Sequence, residues 1–311
     1  MIVLKGLGSS YLRRLKDTVI TLGVFDGVHL GHQKIIKKLV KETKPCTFWC
    51  VGKSVVLTFE AHPMKTTHNS APLNLTTLTQ KEKIIKGFGI DILIIINFNK
   101  KFARISAKNF IEKILIKKLK IKKIIVGFDY CFGRDKEGNV EFLKKESKKY
   151  NFKVDIVKPV KVSNVVVSST NIRKFIVNGN LNMAKRMLGR SYSVIGKVVK
   201  GEERGRILGF PTANIKVFNE SIPLKGVYIV NIKIDSKIYH GICNISKPSF
   251  DILDERNLIP EVYIFDFKRN IYNKIVEVTF LKKIRNSIYF DNADELIKRI
   301  NKDIKRGRSY F

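Results

Sequence analysis

The spacing of hydrophobic positions changes once along the chain, near residue 190. Before that point, apolar runs rich in β-branched residues stand at 19–25, 55–59, 92–98 and 123–128, with a weaker fifth at 154–157. Longer stretches with helical spacing separate them. In HQKIIKKLVKET the side chains of Ile35, Ile36, Leu39 and Val40 share one face. In SAKNFIEKILIKKLK, Phe110, Ile111, Ile114 and Leu115 do the same. Strands alternating with helices predict right-handed crossovers and a parallel sheet. Nearly unbroken apolar strands such as ILIII predict a sheet covered on both faces.

After Arg190 the runs are short and alternate, as in YSVIGKVVKG, GVYIVNIKI, KIYHGICNI, EVYIFDF and KIVEVTFL. Turn residues separate them, which predicts an antiparallel barrel of about six strands. A helical pattern, DNADELIKRINKDIKR, closes the chain, with Asp291 or Asn292 as its N-cap. Another, NMAKRML, lies just before the change. The expected fold class is α/β. A doubly wound parallel sheet in residues 1–190 is followed by an antiparallel β-barrel with a closing helix in residues 191–311. A length of 311 residues suits two domains.

No run approaches the roughly 18 apolar residues that a membrane span needs. The opening MIVLKGLGSS is too soon interrupted for a secretory signal. The chain therefore reads as soluble and cytoplasmic, with no membrane partner. Its cysteines, Cys46, Cys50, Cys131 and Cys243, are irregularly spaced and read as reduced thiols. The net charge of +33 invites a nucleic-acid reading. Against it, lysine outnumbers arginine 45 to 15 and is scattered throughout, beside abundant isoleucine and asparagine. AT-rich codons encode all three, so drift in base composition accounts for the charge. Runs such as KKLKIKK read as solvated surface, and no specific nucleic-acid partner is expected. The positive field still favours anionic substrates.

The stretch GVFDGVHLGH, residues 23–32, follows the apolar run TVITL and holds two of the chain's five histidines. In an open parallel sheet, ligands bind beyond the carboxyl ends of strands. Glycines let the backbone turn tightly and come close to a ligand. A helix starting near Gly31 would aim its unpaired N–H groups and dipole at the same space, so an anion belongs there. His29 and His32 add donors that strengthen as charge grows in a transition state. A zinc site would also accept histidines three apart, but no third or fourth ligand stands nearby. A purely structural turn would need the glycines but not both histidines.

GVFDGVHLGH also resembles the signature of the nucleotidylyltransferase superfamily, in its flavin-nucleotide branch. Further motifs agree in order along nearly the whole chain. TFEAHP (58–63) is similar to the second motif, and VGFDYCFGRDKEGN (126–139) to the flavin-side motif. VSSTNIR (167–173) resembles the motif that closes on ATP phosphates, LGR (188–190) the domain join, and GEERGRILGFPTANI (201–215) a kinase signature. Together they resemble the prokaryotic bifunctional riboflavin kinase/FMN adenylyltransferases, also called FAD synthetases.

That resemblance implies two ATP-dependent steps, riboflavin to FMN in the C-terminal half and FMN to FAD with release of pyrophosphate in the N-terminal half. It implies His29 and His32 as catalytic residues of the second step. Gly23, Asp26, Gly27, Gly31, Ser168, Ser169, Thr170 and Arg173 would surround ATP phosphates, with Gly205 and Gly209 doing so in the kinase. Arg173 can grip phosphate oxygens in a fork. Read alone, SSTNIR is a capped helix start. His62, Asp129 and Asn139 would lie on the flavin side. Thr212 and Asn214, both hard oxygen donors, would hold Mg2+ on ATP, and Glu261 would be the kinase base. Riboflavin, FMN, FAD and ATP are the implied partners.

Two departures stand out. The family's Asp-Phe-Arg-Phe-Gly is DYCFG here, so Cys131 replaces a basic group. Its Asn-Ile-Gly-x-Arg-Pro-Thr is NISKPS, one residue shorter. The rival readings are an enzyme that keeps one of the two activities, or a basic nucleic-acid-binding protein. Fluorescence anisotropy with DNA separates the last. Binding is expected at low salt and should fall steeply as salt rises, because it rests on counterion release. A sequence-selective complex that survives physiological salt would overturn the compositional explanation.

Overall fold

The sheet that the first half was expected to form has six strands, all parallel, in the order β1-β4-β3-β2-β5-β6. The structure is a computed structural model that describes residues 1–43, 52–67, 71–201, 204–246, 258–290 and 292–311. Cys46, Cys50, Asp291, the glutamates of GEERG and residues 247–249 of NISKPS lie outside the described residues.

The elements run in order as β1 (Ile2–Lys5), β2 (Thr18–Leu22), α1 (Leu30–Thr43), β3 (Ser54–Phe59), α2 (Met64–Thr67), α3 (Leu78–Lys86) and β4 (Ile92–Ile96). Then come α4 (Lys100–Ala103), α5 (Ala107–Asn109) with a π-helical continuation over Phe110–Lys118, β5 (Ile121–Gly127), α6 (Val140–Tyr150) and β6 (Lys153–Val157). Five strands match the five apolar runs. The sixth, β1, is an edge strand of four residues with Ile2 and Val3 exposed, too short and too open to show a period. Alternate side chains enter different cores. Ile20, Val55, Leu57, Ile92 and Ile94 pack on one face with Phe110, Ile111, Ile114 and Leu115. Val19, Val56, Leu93 and Ile95 pack on the other with Ile35, Ile36, Leu39 and Val40. Fully burying each such side chain contributes about 1.5–3 kcal/mol.

A small hairpin, β7 (Lys161–Val162) with β8 (Val165–Val166), precedes α7 (Ser169–Val177) and α8 (Leu181–Leu188). Gly189, left-handed at φ 70°, ends α8. The alternating pattern begins there as read from the sequence. β9 (Ser193–Val199), α9 (Arg204–Ile207), β10 (Thr212–Val217), β11 (Gly226–Ile234), β12 (Lys237–Ser246), β13 (Ile259–Ile264) and β14 (Ile275–Arg285) follow. The strands close as an antiparallel barrel, β10-β13-β12-β11-β14-β9. By packing, the chain forms two units, Met1–Asn74 with Leu78–Ser168 and Leu75–Thr77 with Ser169–Phe311. Within the second unit Leu75 is buried, and its carbonyl accepts from the Tyr192 hydroxyl at 3.0 Å and Asn219 Nδ2 at 3.1 Å. Among the described residues no helix is long and apolar enough to cross a membrane.

The closing helix, α10 (Ala293–Arg308), starts at Asn292, whose Oδ1 accepts from the Glu295 N–H at 2.9 Å. Its Ile304 packs on Val227, Ile229 and Ile242 outside the barrel. Asp303 on this helix is 3% exposed and meets Arg285 Nε at 2.8 Å, with Arg299 Nε at 3.6 Å. Removing one partner of a buried pair strands the other charge, at a cost of about 3–5 kcal/mol. Asp303→Ala should lower the unfolding free energy of the barrel unit by about 3 kcal/mol in urea. Asp303→Leu combined with Arg285→Met should lose less. Equal losses would show that Asp303 acts through packing alone.

Candidate active site

β2 ends where the order of the sheet reverses, with β3 and β4 to one side and β5 and β6 to the other. Such a reversal leaves a crevice at the strand ends. The Gly23 N–H extends the ladder to the Leu57 carbonyl at 3.1 Å, and then the chain turns. Phe25 (φ 50°), Gly27 (φ 75°) and Val28 (φ 40°) are left-handed. For a β-branched valine this is strained, by roughly 1–3 kcal/mol, and persists only when the surroundings enforce it. Phe25 and Val28 are at most 1% exposed, so their packing supplies part of that force.

His29 ends the turn and α1 begins. The His29 Nδ1 accepts from the His32 backbone N–H at 3.3 Å, so the imidazole caps the helix. That bond places the ring proton of neutral His29 on Nε2. The two rings stack with centroids 3.6 Å apart and planes 16° from parallel, and Phe25 meets His32 edge-on at 5.1 Å. Gly31 permits this, because a Cβ there would lie 3.1 Å from His29 Cε1. The His32 Nδ1 is buried with no hydrogen-bond partner. Burial, then the charge of His29 and then that of Lys81, hold the His32 pKa well below the ordinary imidazole value.

Lys81, on α3, lies outside the motifs of the sequence. It is 5% exposed, and its Nζ donates to the Val24 carbonyl at 2.9 Å and the Phe59 carbonyl at 3.1 Å, with Thr58 Oγ1 at 3.4 Å. Burial pushes its pKa down to about 8, opposed by Asp26 and Glu82. Asp26 is itself 3% exposed. The signal was present in the spacing, since Lys81 falls on the helical face between Leu78 and Ile85 where an apolar residue is the usual occupant.

The loops after β3 and β5 flank the same crevice. After β3, His62 Nδ1 accepts from the Met64 N–H at 3.2 Å and so begins α2. After β5, Asp129 is exposed, and Asn139 Oδ1 caps α6 by accepting from the Phe142 N–H at 2.9 Å. Cys131 is an exposed free thiol. Ser168 closes the first unit, while Ser169, Thr170 and Arg173 lie near the start of α7 in the second.

In the barrel, strand register assembles a second polar group. Asn214 on β10 stands directly opposite Glu261 on β13, and Asn244 on β12 stands opposite Glu261 on its other side. Directly paired residues share a face of the sheet. Thr212 lies two residues from Asn214 on that face, whereas Ala213 points away. The preceding loop is pressed against both donors. A Cβ on Gly201 would sit 2.1 Å from Asn214 Nδ2, and one on Gly205 would sit 3.2 Å from Thr212 Oγ1. Gly209 is left-handed at φ 85°. Asn244 was not picked out as a site residue, because only the register reveals its position. Among the described residues, no group of three or more His, Cys, Asp or Glu is placed to hold a metal ion.

A family model described as FAD synthetase matches residues 12–171, and one described as riboflavin kinase matches residues 188–311. A bifunctional riboflavin kinase/FMN adenylyltransferase from Buchnera aphidicola subsp. Schizaphis graminum is 41% identical over 300 residues, 95% of this chain and 94% of its own. The protein of that name from Escherichia coli strain K12 is 32% identical over 314 residues, covering 100% of this chain and 98% of its own. A crystal structure described as a macrolide-efflux protein from Streptococcus pneumoniae superposes with a TM-score of 0.82 at 32% identity, covering 97% of each chain.

His32 is expected to be neutral throughout the neutral pH range. Its ring resonances in NMR spectra should titrate well below the usual midpoint of about 6.5. A midpoint at or above that value would mean that the stacked ring, with its Nδ1 buried, does not resist protonation.

Proposed function

The chain belongs to the bifunctional riboflavin kinase/FMN adenylyltransferase family, and from that premise we propose how its residues divide the two reactions. The enzyme phosphorylates riboflavin to FMN with ATP, and transfers AMP from ATP to FMN to give FAD and pyrophosphate. One observation carries the division. The histidine turn belongs to the unit with the parallel sheet, and Thr212, Asn214 and Glu261 belong to the unit with the barrel. A cytoplasmic location suits such chemistry.

Adenylyl transfer needs no nucleophile from the protein. A phosphate oxygen of FMN attacks the α-phosphorus of ATP, and the bond to pyrophosphate breaks. The site must hold two anions that repel each other and stabilise charge on the leaving group. The first turn of α1 supplies N–H groups and the positive end of its dipole. Gly23, Asp26, Gly27 and Gly31 shape that turn, and His29 donates from Nε2 to phosphate oxygen. His32, neutral and stacked, keeps the His29 ring in place and adds a donor. Ser168 binds the ATP phosphates, while His62, Asp129 and Asn139 face the flavin. Asn139 already uses Oδ1 in its cap, which leaves its amide nitrogen for that role.

The kinase step needs a hydroxyl deprotonated and a γ-phosphoryl group positioned. Glu261 takes the proton of the ribityl hydroxyl, whose oxygen attacks the γ-phosphorus as the bond to the β,γ-bridging oxygen breaks and ADP leaves. Thr212 Oγ1 and Asn214 Oδ1, on one face with the Glu261 carboxylate opposite, are hard oxygen donors that fit Mg2+. When bound there, the cation neutralises charge on the ATP phosphates. Gly205 and Gly209 keep the loop close to those phosphates.

Incubation with riboflavin, ATP and Mg2+ should yield FMN and then FAD, separable by chromatography. His29→Ala should abolish FAD formation and leave FMN formation intact. Glu261→Gln should slow riboflavin phosphorylation about a hundredfold to ten-thousandfold while FMN is still adenylylated. The reverse pattern in either variant would refute the division.

A further inference from the structure

The buried ammonium of Lys81 has no part in the roles assigned above. We propose that Lys81 is a positioning residue for adenylyl transfer, clamping the start of the histidine turn to the end of β3 and keeping a positive charge beneath it. The inference rests on the assignment of that turn to FMN adenylylation.

Three observations support it. First, the paired register of β2 and β3 ends at Leu22 and Leu57, and Val24 and Phe59 carry carbonyls just beyond it. An ammonium has three N–H bonds, and the acceptors of Lys81 are those two carbonyls and Thr58 Oγ1. Thr58 donates in turn to the Val24 carbonyl at 3.0 Å, which closes a small network. With its donors engaged by the protein and only 5% of its surface exposed, Lys81 acts through the loops and does not touch substrate.

Second, the clamped residue Val24 directly precedes the left-handed sequence Phe25, Gly27 and Val28. A turn strained at a β-branched residue relaxes unless several contacts over-determine it. The bond to Val24 fixes the entry to that turn, and His29, which caps α1, fixes its exit. A clamp at the entry therefore governs where the His29 ring lies.

Third, packing alone does not explain a lysine here. Burying an ammonium carries a desolvation cost that an aliphatic side chain on the same helical face would avoid. The titratable groups around it are Asp26 from the turn, the neutral His32 from α1 and Glu82 from its own helix. Only Asp26 and Glu82 oppose the effect of burial, which brings the amine down to about 8. It is thus mostly charged at neutral pH and loses its charge above about 8.

The test compares wild type with Lys81→Met in the full chain, assaying FMN adenylylation and riboflavin phosphorylation separately across pH. Wild-type adenylylation should fall above about pH 8 as the ammonium is lost. Lys81→Met should have an adenylylation kcat lower by about a hundredfold, the scale for losing one preorganised electrostatic element. It should lack the alkaline fall, and its riboflavin phosphorylation should be within about twofold of wild type on the same reasoning. Thr58→Val, which keeps the ammonium and removes one acceptor, should show a smaller loss of the same kind and serves if Lys81→Met does not fold. Unchanged adenylylation in these variants, parallel loss of both reactions, or an alkaline fall that persists in Lys81→Met would overturn the proposal. A wild-type chain that makes no FAD from FMN would instead refute the assignment on which it rests.

Discussion

Between β2 and β5 the strand order reverses, and the segments that follow the two strands leave in opposite directions across the sheet. The resulting gap is the one place on that edge where helical N-termini and loops can surround a ligand without blocking one another. The features of the N-terminal unit described above follow from it. The turn after β2 must fold back within a few residues to start α1, which forces left-handed conformations at Phe25, Gly27 and Val28. Those conformations need buried anchors, and Phe25, Val28 and Lys81 are all buried. The histidines then occupy the short space between the strained turn and the helix. Two polyanions repel each other in water, and the N–H groups of a helix start would offset that repulsion where the anions meet.

The barrel meets a different demand by a different route. Antiparallel register places residues from separate stretches of the chain side by side, so Asn214, Glu261 and Asn244 form a row across three strands. A row of this kind combines a carboxylate with neutral oxygen donors on rigid backbone. Such a row would suit the phosphorylation of an alcohol, which calls for a base, whereas FMN already brings an ionised oxygen to its own reaction. With the roles proposed for them, the two halves differ in chemistry as their folds do, with main-chain donors and dipoles in one and side chains set by strand pairing in the other.

Much of this was legible in the sequence, for identifiable reasons. Strands buried on both faces write themselves as apolar runs, so β2 to β6 were readable, and Ile35, Ile36, Leu39 and Val40 marked the inner face of α1. The paired histidines stood out because histidine is scarce in this chain. What could not be read depends on tertiary placement. The helical spacing of α3 marks Lys81 as facing inward, but its partners, carbonyls more than 20 residues away in the chain, cannot be read from it. Asn244 gains its place only through register with Glu261. The edge strand β1 buries too little to impose a period.

The grouping of Leu75–Thr77 with Ser169–Phe311 has a bearing on heredity. Two activities fused in one gene can ordinarily be separated again by a single break at their join. Here a fragment beginning at the barrel would lack the Leu75 carbonyl that accepts from Tyr192 and Asn219. The remaining fragment would retain three residues whose packing partners had been lost with the other half. A lineage that came to need only one activity would therefore find point substitution in the unwanted site an easier path than fission of the gene, and the dispensable half would persist as scaffold.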